Sequence, residues 1–253
     1  MPHYPKSSHD HFEPPIARPQ RAPSSAGARR QGRGEITVAH RGVLFLDELP
    51  EFDRRVLEAL REPLETGRVA ISRVGTKTEY PAHFQLIAAM NPCPCGHTGS
   101  CYGRCRCTPA SVDRYRARLS GPLLDRLDLR VMLESVGDAD LAEHRRTRHG
   151  PEESAAIADE QRIRSRVVAT RARQLDRQGC LNVSLTVQAL ASACRLDHAA
   201  HRVLLSSRVL AGGDLRSYDR LIRVARTIAD LRESPSISEA DVLEAVALRQ
   251  ALS

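Results

Sequence analysis

The residues best suited to chemistry begin at a short apolar run. Val43-Leu44-Phe45-Leu46 ends in two adjacent carboxylates, Asp47 and Glu48. Such a run fits a strand buried in a parallel sheet. Strands of that kind deliver their carboxyl ends to a ligand crevice. There Asp47 could hold Mg²⁺, usually through water, and Glu48 could polarise an attacking water. An acidic loop after a core strand has the same composition, so the pair gains meaning from its company. A second apolar stretch, Phe84 to Met90, ends in Asn91-Pro92. An Asn at the tip of a neighbouring strand could orient the lytic water or touch a γ-phosphate, although a polar turn residue before Pro is an ordinary finding. Further on, Arg126 stands in Ser120-Gly-Pro-Leu-Leu-Asp-Arg-Leu-Asp128. It could stabilise phosphoryl-transfer charge in an adjacent subunit, or simply pair with Asp125 or Asp128. Arg216 opens a helical segment in which Leu215, Ile222, Ala225, Ile228 and Ala229 can line one face. It would project from the first turn, while Arg220, Arg223 and Arg226 read as solvated-face or interface residues.

Five of the seven cysteines fall between Cys93 and Cys107. Clustering without a visible export signal reads as metal binding before disulfides. Cys93-x-Cys95 and Cys105-x-Cys107 could supply a tetrahedral Cys₄ site for Zn²⁺, with Cys101 and His97 as substitute ligands. Reduced free thiols in a loop are the alternative, because C-x-C is tighter than the usual spacing. The expected role is structural, pinning a loop beside Asn91. Arg73 and Lys77 flank a turn at Gly75, where cations could grip nucleic-acid phosphates without reading sequence. A solvated turn would carry the same charge. His40 and His83 have no nucleophile elbow beside them, so a hydrolase triad finds no support.

These groups need elements to hold them. The stretch from Glu35 begins strand-like, and Asp53 can cap a helix with Val56, Leu57, Leu60 and Leu64 at helical spacing, ended by Gly67. Two strands around a tip at Gly75-Thr76-Lys77 follow, then the Phe84–Met90 strand and a Cys-rich loop over 92–108. A helix near 109–119 and a strand near Leu129–Leu133 come next. From about Ala139 the pattern is helical, with segments at 152–178, 186–195, 197–210, 214–232 and 238–250. Asp214 can cap the fourth, and Ser238-x-x-Asp241 starts the fifth as a capping box. The organisation expected is a disordered or degenerate basic tail over 1–34, an α/β half over 35–135 and a helical half over 136–253.

Composition bounds the possibilities. Hydrophobic residues form 41% of 253, enough for a core. No apolar run approaches the ~20 residues of a membrane helix, and the first residues are Pro-, His- and Arg-rich rather than apolar, so a cytoplasmic location is expected. Aromatics are 4% with no Trp, which argues against base-stacking binders of single strands. The net charge is +7, but residues 1–34 hold six positive and two negative side chains of it. The overall basicity is therefore weak support for a nucleic-acid surface.

Five segments in order (GEITVAHRGVLFLDELPEFDRRVLEALREPLE, AAMNPCPCG, CRCTP, RYRARLSGPLLDRLDL and YDRLIRVARTIADL) resemble the ComM/YifB family of magnesium-chelatase-like AAA+ ATPases. The resemblance covers about 35–253. It implies a P-loop NTPase core with a helical lid, ATP and Mg²⁺ as cofactors, and a homo-oligomeric ring or one shared with full-length relatives. Asp47 and Glu48 match its Walker B, Asn91 its sensor 1, Arg126 its arginine finger and Arg216 its sensor 2. The implied activity is ATP-driven branch migration of DNA in recombination and natural transformation. Magnesium chelatase ATPase subunits share the core motifs and are the alternative within the family. The chain departs from the pattern in having no G-x-x-x-x-G-K-[ST], whose amides and Lys cradle phosphates. The fold class expected is thus α/β, a partial AAA+ core lacking the P-loop strand, followed by an all-α lid. The expected form is truncated, and a non-hydrolysing fragment that binds a ring partner or DNA is a third reading.

Overall fold

A computed structural model of the chain describes residues 34–73, 76–99, 103–134, 137, 152–207 and 215–250. The chain divides after Arg126 into two compact units, earlier than the boundary expected near 135.

In the first unit, β1 (Val43–Leu46) pairs in parallel with β4 (Gln85–Ala88), Leu46 opposite Ala88. Leu44 and Leu46 point into a core with Ala39, Leu49, Leu57, Leu60, Leu119 and Leu123. Among the described residues β1 is the only strand paired with β4. Between them run α2 (Arg54–Ala59), α3 (Arg61–Thr66) and the antiparallel ribbon β2 (Arg68–Arg73) and β3 (Thr76–Pro81). Asp53 caps α2 as expected, its side chain accepting from the Arg55 N–H at 2.7 Å. Val56, counted for the inner face, is exposed instead. Thr76 and Lys77, expected at the ribbon tip, belong to β3, and residues 74–75 lie outside the described residues.

Three local expectations fail for tertiary reasons. The strand-like Glu35–Val38 is a helical turn, α1, whose Thr37 and Val38 N–H groups bond the Gly34 carbonyl. Its β-branched residues favour a strand only where a sheet edge receives them. The expected strand Leu129–Leu133 runs without a ladder. Among the described residues only the Arg130 N–H finds a backbone acceptor, Leu248 O at 2.6 Å, and Leu133 is 88% exposed. An apolar run becomes a strand when another lies beside it, and among the described residues none does. The helix expected to 119 stops at Arg116 (α4, Pro109–Arg116), before the short α5 (Gly121–Leu124).

Gly67 closes α3 in the left-handed region at φ +68 and is itself buried. A Cβ there would fall on the His83 ring, 2.0 Å from Cε1. Gly67→Ala is therefore expected to lower the urea stability of this unit by about 1–2 kcal/mol. An unchanged midpoint would mean that backbone and ring relax together.

The second unit contains α6 (Glu152–Gln178), α7 (Val187–Ala193), α8 (His198–Ser206), α9 (Leu215–Leu231) and α10 (Glu239–Gln250). Three bounds agree closely with the segments read from periodicity; the segment expected over 186–195 ends at Ala193, the one expected over 197–210 ends at Ser206, and residues 208–214, Asp214 included, lie outside the described residues. Leu221, Ile222, Ala225, Ile228 and Ala229 give α9 its buried face. Leu215, expected on that face, is 78% exposed. Ser238 and Asp241 form the anticipated box, the Ser238 N–H donating to Asp241 Oδ2 at 2.8 Å.

Candidate functional site

The parallel β1–β4 pair fixes what lies beyond its carboxyl ends. Its ladder continues past the strands: the Ala89 N–H bonds Leu46 O, and the Leu49 N–H bonds Ala89 O, both at 2.9 Å. The Asp47-Glu48 segment is thus stitched to the strand that leads to Asn91. All three side chains are exposed. The Glu48 N–H donates to Asp47 Oδ1 at 2.8 Å, leaving Oδ2 uncommitted by that bond. Glu48 adopts φ 51 and ψ 45, a left-handed conformation that non-glycine residues rarely take. It aims the two adjacent carboxylates away from simple strand alternation. A carboxylate with one oxygen anchored and one open fits an Mg²⁺ held through water.

Helix α4 packs across this end and was not assigned a role from sequence. Arg118 donates to Pro50 O at 3.1 Å and to Glu51 Oε2 at 2.8 Å. Tyr115 is buried, and burial raises its phenol pKa. The negative charges of Glu51 and Glu48 raise it further, and the Asn91 backbone lowers it. Tyr115 thus lies near both loops that carry the candidate residues. Open clefts of about 510 and 500 Å³ flank this helix, lined by Glu51, Arg114 and Arg118 among others. Asp47, Glu48 and Asn91 line neither of them.

The four C-x-C cysteines converge. Cys93 Sγ lies 3.4 Å from Cys95 Sγ and 3.8 Å from Cys105 Sγ, and Cys95 Sγ lies 3.7 Å from Cys105 Sγ. Cys107 completes the group, all four sulfurs lying within 4.8 Å of one another. A tetrahedron with metal–sulfur bonds of about 2.3 Å has sulfur–sulfur edges of about 3.8 Å. These separations match such edges and exceed a disulfide bond by far. Thr98 braces the cluster, its N–H 3.4 Å from Cys93 Sγ and its hydroxyl 3.1 Å from Cys105 Sγ. Burial pushes the Cys93 thiol up, but the Thr98 and Cys95 hydrogen bonds outweigh it and bring the pKa to about 5. The Cys95 thiol, by contrast, helps push Cys107 up to about 11. His97 is exposed and outside the group, and Cys101 lies outside the described residues.

The remaining candidates lie on other elements. Arg126 is bound to the Glu65 carboxylate and donates to Pro122 O at 2.6 Å. Asp128 pairs with Arg220 at 2.9 Å. Arg216 is exposed in the first turn of α9, in the second unit. Arg73 and Lys77 end β2 and start β3 around the ribbon turn; their side chains lie outside the described residues. Three further arginines depart from the solvated-face reading. Arg226 is fully buried, Arg223 donates to Leu185 O at 2.8 Å, and Arg220 is held by Asp128. A helical face rich in charge reads as solvated until the acidic partners that neutralise it are known.

The chain matches the family described as magnesium chelatase, subunit ChlI, over residues 5–141, and its ChlI C-terminal family over 158–249. The first match starts inside the segment read as a degenerate tail. The uncharacterized protein YifB of Salmonella typhimurium is 45% identical over 85% of this chain. The competence protein ComM of Haemophilus influenzae is 40% identical, also over 85% of this chain. The chain spans 40% of the length of each. The DNA replication licensing factor MCM7 of Arabidopsis thaliana is 28% identical over 86% of this chain, which spans 29% of it. No described helix is long and apolar enough to cross a membrane.

Proposed function

From the premise that this chain belongs to the magnesium chelatase ChlI family of AAA+ proteins, we propose that it serves ATP-dependent DNA remodelling of the ComM type, in the cytoplasm. The observation that carries the reading is the stitched carboxyl end of β1 and β4, which gathers Asp47, Glu48 and Asn91. Glu48 removes a proton from the attacking water, Asp47 holds Mg²⁺, and Asn91 bonds the terminal phosphate. Mg²⁺ bound there would supply charge that neutralises the developing phosphate. Arg126 acts in a neighbouring subunit of a ring and Arg216 acts from the helical unit. For Arg126 that role requires release from Glu65. Arg73 and Lys77 contact DNA phosphates from the β2–β3 ribbon. Zn²⁺ fits the four thiols as a structural ion.

The test is phosphate release by the purified chain with branched DNA. DNA-stimulated turnover is the expected result. No ATP binding with DNA present would overturn hydrolysis by this chain. One observation favours a second reading: the 253 residues contain no G-x-x-x-x-G-K-[ST], and their only lysines are Lys6 and Lys77. In that reading the chain joins a ring without hydrolysing ATP and lends Arg126 to a neighbour. Added to a longer relative whose own finger arginine is removed, it would then restore turnover, and Arg126→Ala would not.

A further inference from the structure

The Cys₄ cluster does more than close a loop, because both of its ends run into the candidate site. Cys93 lies two residues beyond Asn91. Its carbonyl accepts the Gly96 N–H at 3.0 Å, closing a turn in which Gly96 takes φ +77. That turn folds Gly96 back over the Asn91 side chain. A Cβ on Gly96 would lie 3.6 Å from both Cγ and Oδ1 of Asn91, ordinary packing distance. At the other end, Cys107 is followed at once by Thr108, whose side chain accepts from the Ser111 N–H and starts α4. That helix carries the buried Tyr115, and two residues past its end Arg118 donates to Pro50 O and Glu51.

Two covalent paths therefore leave the sulfur cluster, one to Asn91 and one to α4. Among the described residues of the loop, the two paths meet at the four sulfurs and Thr98. Without an ion, thiol contacts of 3.4–3.8 Å join the sulfurs of Cys93, Cys95 and Cys105. With an ion, four strong bonds cross-link positions 93 and 95 to 105 and 107, and closing such a loop removes conformational freedom from everything tied to its ends.

We infer that a thiophilic metal ion at Cys93, Cys95, Cys105 and Cys107 is the positioning device for Asn91, so that metal occupancy sets the order of the candidate phosphate-sensing tip. The inference rests on the Zn²⁺ reading given above. It goes beyond that reading in assigning the ion a function outside its own loop. The cysteines are positioning residues; none of them touches the groups that face a phosphate.

The test compares the full chain stripped of metal under anaerobic reducing conditions with the same chain reloaded with Zn²⁺, and follows backbone hydrogen exchange and bound zinc. Loading is expected to slow exchange about tenfold or more at Ala89–Gly96 and along α4, with no change over 152–250. Cys107→Ser is the second variant. It removes the ligand farthest along the chain from Asn91, so it is expected to weaken Zn²⁺ binding and to lose the protection at Asn91 together with it. Stoichiometric binding with slowed exchange only between Cys93 and Cys107, and none at Asn91 or Tyr115, would overturn the coupling and leave the zinc reading intact. Failure to bind Zn²⁺ at all would reject both.

Discussion

Glu48→Gln is expected to lower ATP turnover by about 10²–10⁴-fold, the usual contribution of a positioned general base. Nucleotide affinity should change little, because Gln keeps the size and loses only the basic oxygen. The backbone at this position adds an independent signature. A left-handed conformation costs a non-glycine residue about 1–2 kcal/mol, and Glu48 holds it at φ 51 with an exposed side chain. Strain of this kind persists where the surroundings enforce it, and it is found disproportionately at functional sites. Glu48→Gly should therefore abolish turnover yet leave thermal stability unchanged or raised by up to about 1 kcal/mol. Glu48→Gln should show the activity loss without the stability gain. Both are read by phosphate release alongside thermal unfolding. If Glu48→Gln retains full turnover, Glu48 is not the base. If Glu48→Gly is destabilising, the left-handed turn is supported by the Glu side chain rather than strained by it.

How much of this site could be read beforehand depends on whether the signal was local. Val43-Leu44-Phe45-Leu46 announces a strand by composition alone, and the strand with the carboxylates at its end follows from that run, although only Leu44 and Leu46 are buried. The Asp53 cap, the Gly67 stop and the Ser238–Asp241 box are equally local, since each satisfies amides within a few residues. The C-x-C pairs pointed to their convergence because the ligands bracket a single loop. What escaped depends on distant partners. Tyr115 in α4 and Arg118 just past its end look like ordinary residues of a charged segment until the burial of the one and the bond of the other to Pro50 O are seen. Leu129–Leu133 has the composition of a strand, but a strand is a relation between two segments, and the second is absent among the described residues. Arg126 offered two acidic neighbours in sequence, yet its partner Glu65 comes from another helix.

The same dependence on distant partners makes Asp230 the position of greatest expected consequence for stability. Asp230 and Arg226 are both fully buried, one helical turn apart on α9. The Arg226 guanidinium donates to Asp230 Oδ1 at 2.8 Å and to the Pro235 carbonyl at 3.0 Å. Arg177, from the end of α6, donates to both Asp230 oxygens, and Asn182 Nδ2 adds a bond to Oδ2 at 2.8 Å. Two cations thus converge on one buried anion, which joins α6, the Asn182 turn and the loop before α10. Asp230→Ala would leave Arg226 desolvated without its counter-charge, and breaking a buried pair in this way costs about 3–5 kcal/mol. Denaturant unfolding of the helical unit, followed by circular dichroism, measures it; a loss under about 1 kcal/mol would show that water reaches Arg226 in the variant. Acid supplies a second reading of the same group. Burial pushes the Asp230 pKa up, but hydrogen bonds from Arg177 and Asn182 and the charge of Arg226 outweigh it, so the folded value lies below the ordinary one. A carboxylate depressed on folding contributes stability that is fully present above its unfolded pKa of about 3.9 and lost as pH falls through the folded value. The stability gap between the native chain and Asp230→Asn should accordingly be constant near neutrality and narrow only below about pH 4. A gap that closed at higher pH would place the titrating group elsewhere, while one that persisted into strong acid would show that shape and hydrogen bonding, rather than charge, make this aspartate necessary.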